Sequence, residues 1–344
     1  MRCGMWGLAA LAWAVAVGPG CGTGRGSASA REPGGHGLDP ATGLLRVAPV
    51  RVTTPASAAF WRQWGDGKAE LSAYRIVTPR YGAARAGTAV LIYVTEPMDR
   101  RTWLKDDRGA VPEAERLNVL KLNHSLAFRT GVYPYSVMTS VFSPVDGVGR
   151  ERFAPTKITF SAQEWCGHVY ELLHATAGAF ASQLRSYFSV DGERSELVAV
   201  RPGTLYEDAL LIQLRELDGA FADGKDWSGE LVPALWSVRK AHQPLRPVRA
   251  RIQRTAALRQ GIKVTRFELR LGAITRTIDV EQAYPRRILG WTGSDGERAS
   301  LLKTARLAYW QLNRPGDEAQ LKALGLAPDG TPPPEGVPAA TRKP

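Results

Sequence analysis

Cys166 and His168 are the residues of this sequence whose types and spacing could do chemistry most directly. They lie two positions apart in the segment SAQEWCGHVYELLH, Ser161–His174, and Glu164 comes two positions before the cysteine. A cysteine nucleophile needs a base that forms the thiolate and a third group that orients the base. The segment predicts one strand, or two strands that meet near Gly167, and in extended geometry the three side chains would point to the same side. The spacing therefore raises the hypothesis of a thiol-dependent hydrolase.

The same cysteine could instead bind a metal ion. His174 and His124 could join Cys166 and His168, because zinc takes three or four nitrogen and sulfur ligands. No Cys-x-x-Cys or His-Glu-x-x-His spacing supports such a site, and the chain has only five histidines. The interpretation that we favour is structural: Cys166 is a small buried group without a disulfide partner, and His168 is satisfied by hydrogen bonds.

Two aromatic groups are candidates for a ligand-binding face. Tyr133 and Tyr135 flank a proline in TGVYPYS, and Tyr309 and Trp310 lie in AYWQLN. Aromatic residues at strand spacing more often belong to a core. The sequence has no glycine-rich phosphate loop, kinase signature or Gly-x-Ser-x-Gly turn. We therefore expect no cofactor, and a protein without catalytic activity is the simpler interpretation.

The first 21 residues have the pattern of an export signal. Arg2 precedes the thirteen-residue apolar run Met5–Val17, which is too short to span a bilayer as a helix. The run ends in small residues before Cys21, as in bacterial lipoproteins, whose cysteine is acylated; ordinary secretion with a plain Cys21 is the alternative. Because Gly22 stands where an inner-membrane retention signal has aspartate, the sequence favours an anchor in the outer membrane, facing the periplasm.

Composition then divides the chain. Residues 22–45 are rich in Gly, Ser, Ala and Pro and predict a flexible tether, and residues 327–344 predict a disordered tail. Residues 46–326 predict one β-rich domain, with a division into two halves near residue 200 as the alternative. The net charge of +12 suits anionic lipid headgroups or wall polymers, and no aromatic RNA- or DNA-binding motif accompanies it.

The periodicity of the domain predicts a mainly β fold. Stretches such as GTAVLIYVTE, LNVLKLNHSL and VTRFELRLG alternate or concentrate β-branched and aromatic residues at the short spacing of antiparallel strands. The tetrapeptide Asp-Gly-Glu-Arg occurs at residues 191–194 and 295–298, and its Asp-Gly pairs predict type I′ hairpin turns. Three segments predict short helices: SAAFWRQWG, LYEDALLIQLREL and PGDEAQLKALGL. Together they predict a large, curved antiparallel sheet, a half-barrel or clam shape, with a few short helices.

Several strings resemble one family of proteins. GDGKAELSAYRIVTPRYG, VLKLNHSLAFRTGVYPYSVMTSVFSPV, QEWCGHVY, YPRRILGW and AYWQLN look like a family of uncharacterised bacterial secreted proteins and lipoproteins, and the likeness spans about residues 60–326. Members often carry the label "septum formation inhibitor Maf", but the Ser-x-Ser-Pro-Arg-Arg motif of the true Maf nucleotide pyrophosphatases is absent here. The resemblance implies export and carries over no catalytic residues.

These patterns together predict an exported cell-envelope lipoprotein that binds or assembles rather than catalyses. A concave sheet face would take an apolar or anionic envelope ligand, while the protein partner is left open. The thiol-dependent or metal-assisted hydrolase centred on Cys166 and His168 is the alternative.

Overall fold

A computed structural model of the protein describes residues 52–148, 152–176, 178–219 and 224–334. Cys21, the signal pattern and the tether lie outside these ranges. Among the described residues, no helix is both long enough and apolar enough to cross a membrane.

Strands make up most of the described chain. In chain order they are β1 Val52–Thr54, β2 Ala69–Arg80, β3 Ala83–Asp99, β4 Leu104–Lys105, β5 Arg116–Thr130, β6 Tyr133–Pro144, β7 Gly147–Val148, β8 Lys157–Glu164, β9 Gly167–Thr176, β10 Ala179–Ser186, β11 Arg194–Ala199, β12 Leu205–Tyr206, β13 Trp227–Val232, β14 Val248–Arg259, β15 Ile262–Leu271, β16 Ile274–Glu281, β17 Ile288–Gly293 and β18 Arg298–Leu307.

Sixteen of these strands form one sheet. Its order is β11-β10-β9-β8-β6-β5-β3-β2-β18-β17-β16-β15-β14-β13-β12, with β4 paired to β3, while β1 and β7 pair separately. Neighbouring strands are antiparallel except for the short pair of β12 with β13. The sheet does not close, since β11 and β12 lie at its two ends. The prediction of a mainly β protein built on a large, curved antiparallel sheet is confirmed.

The helices are few and short, as predicted. α1 (Ala58–Trp64) is capped by Ser57, whose Oγ accepts from the Phe60 amide at 3.1 Å. α2 (Glu207–Glu216) follows β12 directly, and α3 (Leu235–Ala241) was not predicted. The third predicted helix is a 3-10 helix, Asp317–Leu324, which ends at Gly325 in a left-handed conformation. Further 3-10 turns lie at Glu113–Glu115 and Tyr309–Gln311.

The curvature of the sheet brings distant strands together. Three strands, β3, β2 and β18, separate β5 from β17, which on a flat sheet would put these two strands about 19 Å apart. Yet the rings of His124 on β5 and Trp291 on β17 are in edge-to-face contact, with centroids 5.6 Å apart. The concave face therefore encloses the main hydrophobic core, into which α2 and α3 pack.

The Asp-Gly pairs of the two Asp-Gly-Glu-Arg tetrapeptides lie in turns, but the predicted turn type is wrong. Gly192 and Gly296 have φ of 66° and 94°, whereas neither Asp191 nor Asp295 has positive φ. A type I′ turn needs positive φ at both central residues. The first pair belongs to the seven-residue connection between β10 and β11, which is too long for a two-residue hairpin.

The start of the predicted tail lies against the sheet. The Gly330 carbonyl accepts a hydrogen bond from Thr88 Oγ1 of β3 at 3.1 Å, and the Ala327 amide donates to Thr331 O at 2.9 Å. The structure describes the chain as far as residue 334, and the predicted disorder of the rest lies outside the described residues.

Candidate functional site

The structure places Cys166 at the tip of a hairpin. β8 ends at Glu164 and β9 begins at Gly167, so Trp165 and Cys166 form the two-residue turn between them. The thiol is exposed, and the prediction that Cys166 is buried is therefore wrong. The reason is the turn: the segment is two strands, not one, and the cysteine leaves the sheet between them.

Glu164 controls the environment of this thiol. The Cys166 amide donates to Glu164 Oε2 at 2.8 Å. A hydrogen bond between the thiol and the same carboxylate raises the pKa of Cys166, and the negative charge of Glu164 acts in the same direction. A thiol with a raised pKa is a weaker source of thiolate, which is the reactive form. Glu164 thus opposes the activation that the hydrolase hypothesis needs.

The candidate metal ligands do not come together. His168 is exposed and pairs with Gln163 next to the turn, but His174 pairs with Lys157 at the far end of the same hairpin. Seven residues of extended strand put His174 about 23 Å from Gly167. His124 lies on β5, beyond β6 in the sheet. Among the described residues, no group of three or more His, Cys, Asp or Glu side chains could hold a metal ion.

The two predicted aromatic groups lie on different faces of the sheet. Tyr135 is buried in the main core, and its ring centroid is 6.0 Å from that of Tyr133. Tyr309 packs on a second cluster, which includes Leu71 and residues of the last 3-10 helix, and Trp310 beside it is partly exposed. Leu71 and the core residue Tyr74 lie three positions apart on β2, so their side chains point to opposite faces of the sheet. The second cluster therefore covers the outer face.

A cavity on the concave face brings together the titratable groups that sequence analysis did not connect. It has a volume of about 80 Å³ and lies between the sheet and the first residues of α2 and α3. Its walls are mostly apolar, from Leu126, Leu211, Trp236, Ile278 and Trp291. Its polar lining comes from β5, α2, α3, β16 and the turn after β17: His124, Glu207, Asp208, Ser237, Arg276 and Glu297.

Arg276 is the centre of the ionic network at this cavity. Its Nε lies 2.6 Å from Glu207 Oε1, its Nη1 lies 3.4 Å from Glu297 Oε2, and its Nη2 donates to Ser237 Oγ at 2.9 Å. Burial disfavours the guanidinium charge, but the two carboxylates outweigh it and raise the pKa of Arg276. The network therefore keeps a permanent cation beside the cavity.

Glu297 is held as an anion by the same network. Burial would raise the pKa of this carboxyl, but the charges of Arg276 and Lys240 lower it further than burial raises it. Trp291 Nε1 donates to Glu297 Oε1 at 2.8 Å, and Lys240 Nζ lies 3.5 Å from Oε2. Both carboxylate oxygens thus have partners, and Trp291 is fixed as a wall of the cavity.

The two acidic residues at the start of α2 form hydrogen bonds with the neighbouring helix. Glu207 Oε2 accepts from the Ala234 amide at 2.8 Å, and Asp208 Oδ2 accepts from the Leu235 amide at 3.0 Å. These are the free amides at the beginning of α3, so the carboxylates cap that helix from outside. Burial raises the pKa of Asp208 to about 7, with the nearby charge of Glu207 acting in the same direction.

Three buried side-chain nitrogens of cavity residues make no hydrogen bond among the described residues: His124 Nε2, Trp236 Nε1 and Arg276 Nε. Arg276 Nε still has the carboxylate of Glu207 at 2.6 Å as an ionic partner, so His124 and Trp236 are the two without a polar contact. Burial lowers the pKa of His124 to about 4, which makes its ring neutral near pH 7. A buried polar group without a partner costs about 1–3 kcal/mol, a cost that a hydrogen bond to a ligand would offset.

The sequence held one signal for this site. His124 follows the alternation of Leu120 and Leu122 and so belongs on the apolar face of β5, where a titratable side chain is unusual. Arg276 and Glu297 gave no local signal, because their partners lie far away in the sequence.

Comparisons with known proteins give one structural likeness. No family model matches the chain, and no curated protein matches it. Among solved structures it is similar to a beta-barrel-like protein of a domain of unknown function, DUF1849, from Brucella abortus. The likeness covers 70% of this chain and 98% of that chain, at 10% sequence identity and a TM-score of 0.42.

Proposed function

We propose that the protein is an exported component of the cell envelope, held to a membrane by acyl chains on Cys21, that binds an amphipathic ligand without chemical turnover. The ligand places a hydrogen-bonding group against His124 and Trp236, and an apolar portion lies along Leu126, Leu211 and Ile278. The export pattern at the N-terminus and the resemblance to secreted proteins support the location. The cavity supports the binding role.

The observation that carries the proposal is the pair of unpartnered atoms in an apolar setting. Trp236 Nε1 can only donate, and neutral His124 can donate or accept at Nε2 according to its tautomer. A hydroxyl group satisfies both, since it accepts from Trp236 and donates to or accepts from His124. The volume of about 80 Å³ takes a few water molecules or one small polar head, so an apolar chain of any length must extend out of the cavity.

No observation on Cys166 favours the hydrolase alternative. Its thiol is exposed at a hairpin tip, and Glu164 raises its pKa. At the cavity, Ser237 Oγ accepts a hydrogen bond from Arg276, a cation that gives no help in removing its proton. The residues at the cavity therefore favour binding over hydrolysis.

Indole resonances provide a direct test. A full-length Cys21→Ala chain labelled with nitrogen-15 is titrated with 1-octanol, and the Nε1–H resonances of the ten tryptophans are followed. The Trp236 resonance, assigned by its loss in Trp236→Phe, is expected to shift and saturate. The partly exposed Trp310 serves as the internal control for non-specific effects of the alcohol.

Cavity-filling variants complete the test. Leu211→Phe and Ile278→Phe add volume to the cavity wall, so they should abolish the octanol shift of Trp236 while the unfolding midpoint confirms that the protein folds. If Trp236 and Trp310 shift alike, or if neither shifts up to the solubility limit of the alcohol, the cavity does not bind amphiphiles and the proposal fails.

A further inference from the structure

Four strand connections lie at one edge of the sheet, where edge means the side at which the strands end and turn back, not an outermost strand. The neighbouring strands β2, β3, β5, β6, β8, β9, β10 and β11 alternate in direction, so every second connection emerges at the same edge. We call the edge formed by these four connections the aromatic rim. The connections are Tyr81–Gly82, Gly131–Val132, Trp165–Cys166 and residues 187–193.

Each connection of the aromatic rim exposes a large apolar side chain. The exposed fractions are 58% for Tyr81, 73% for Val132, 71% for Trp165, 74% for Tyr187 and 65% for Val190. A single exposed apolar residue is ordinary, but several of them on neighbouring turns at one edge mark an interaction site.

Ring contacts join these tips to one another. Centroid distances are 6.5 Å from Tyr81 to Tyr135, 6.0 Å from Tyr135 to Tyr133 and 6.4 Å from Tyr133 to Trp165. On the far side of the turn, a Cβ on Gly167 would lie 2.6 Å from the Tyr187 ring, so glycine lets that ring pack against the strand. The aromatic side chains of the rim are therefore held in place by contacts with one another and with the strands.

Positive charge accompanies the rings. Arg85, Arg129 and Arg185 lie beside the tips, and none of the three forms an ion pair within the described part of the chain. Their guanidinium groups instead donate to backbone carbonyls: Arg129 Nη2 to Val132 O at 2.6 Å, Arg185 Nη1 to Leu184 O at 2.8 Å and Arg85 Nε to Arg80 O at 3.3 Å. These charges are free to meet external anions.

Other charges at the rim leave an excess of cations. Arg80 lies under the Tyr81 ring, 4.3 Å from its centroid. Glu164, the last residue of β8, and Glu193 have no cation partner among the described residues, whereas Asp191 pairs with Arg239 at 3.0 Å. The buried Arg80 and the three arginines beside the tips thus outnumber the two unpaired carboxylates.

We propose that the aromatic rim docks on the surface of a bilayer that contains anionic phospholipids. Tyr and Trp side chains concentrate at the headgroup level of membranes, because their rings are apolar and their polar atoms stay hydrated. Arginines next to them meet lipid phosphates. This contact is independent of acylation at Cys21 and of the cavity, and it would orient the sheet with this edge toward the lipid.

The shape of the rim favours a bilayer over a folded protein partner. The exposed side chains project from the tips of four separate turns, as rings do when they insert into a soft interface. A protein partner would instead need a packed, complementary patch whose core is depleted of charge. The arginines between the tips suit the fluid phosphate layer of a membrane.

Vesicle flotation tests the docking surface. The full-length Cys21→Ala chain, which cannot be acylated at that position, is mixed with vesicles of phosphatidylcholine containing 30% phosphatidylglycerol or of phosphatidylcholine alone. Binding to the anionic vesicles is expected. Trp165→Ser with Tyr187→Ser should weaken it about tenfold or more, and each of Arg129→Gln and Arg185→Gln about fivefold, with the arginine effect lost in high salt.

A matched control comes from the opposite edge of the sheet. Leu258 is 68% exposed next to the β14–β15 turn, which the strand register puts at the other edge, and Leu258→Ser should leave binding unchanged. A fluorophore on Cys166, in a chain with Cys3 and Cys21 replaced by Ala, should shift to the blue on anionic vesicles because it enters the interface.

Three results would overturn the proposal. The first is an absence of flotation with anionic vesicles, and the second is equal loss of binding in Leu258→Ser and in the rim variants. The third is concentration-dependent self-association that Trp165→Ser abolishes, since this would identify the rim as a protein interface. None of these results bears on octanol binding at Trp236, so failure here leaves the cavity proposal standing.

Discussion

Arg215 and Glu70 form an ion pair inside the core, with Nη1 2.8 Å from Oε1 and both side chains 2% exposed. The pair joins α2 to β2. The guanidinium also lies over the Tyr93 ring, 4.3 Å from its centroid, and donates to the Pro285 carbonyl at 3.0 Å. Burial disfavours the charge of Arg215, but Glu70 and the hydrogen bonds raise its pKa well above the ordinary value.

Removing one member of this pair should destabilise the fold strongly. Glu70→Gln removes the carboxylate that contacts the buried Arg215 and leaves Glu216 as the other acid near it. Breaking such a buried pair costs about 3–5 kcal/mol in the free energy of unfolding. Urea denaturation followed by tryptophan fluorescence measures it. The double variant Glu70→Leu/Arg215→Leu removes both charges and should lose less than Glu70→Gln alone, and a double variant that loses more would show that the pair itself is a net stabiliser.

Acid should destabilise the protein through His124. Because burial lowers the folded-state pKa from 6.5 to about 4, the unfolded state binds more protons between these values. The stability from the neutral buried ring is fully present above pH 6.5 and is lost as the pH falls toward 4. The loss amounts to about 3 kcal/mol.

The variant His124→Gln isolates this effect. Asp208, whose pKa is raised to about 7, acts in the opposite direction: its contribution is present at low pH and lost as the pH rises through 7. Asp208 remains in both proteins, so the difference between wild type and His124→Gln in unfolding free energy, measured from pH 8 to pH 4, reports His124 to a first approximation. A difference that does not change with pH would show that His124 is hydrated in the folded state.

Alkylation of Cys166 should be controlled by Glu164. Because the carboxylate raises the pKa of the thiol, Glu164→Gln should increase the thiolate fraction and speed the reaction with iodoacetamide at pH 8. The reaction is followed by mass spectrometry of the peptide that contains Cys166. His168→Gln should leave the rate unchanged, and a slower reaction in that variant would instead identify His168 as the base that the hydrolase hypothesis requires.

The predictable part of this fold is the part encoded locally. Alternation of residues such as Phe267 and Leu269 predicted strands, and the repeat of apolar residues after Tyr206 predicted α2, because each pattern has its period within one element. Helix α3 escaped prediction, since its seven residues begin without a side-chain cap of their own and depend on carboxylates from Glu207 and Asp208.

The site was beyond prediction for a related reason. His124, Asp208, Trp236, Arg276 and Glu297 come from five separate parts of the chain, and only the curvature of the sheet brings them to one cavity. The prediction that Cys166 is buried failed for a different reason, because the segment around it is equally compatible with one strand or with two. A turn at Trp165 reverses the conclusion about burial, and the local sequence does not decide between the two.

The pairing of β2 with β18 joins the beginning of the large sheet to its last strand: Ala69 lies opposite Leu307. The contact order of the fold is correspondingly high. During synthesis, which starts at the N-terminus, the β2–β3 hairpin can form early. The core cannot be completed until nearly the whole polypeptide is available. Apolar strand edges stay open for that interval. Slow folding follows from the order in which the strands are connected.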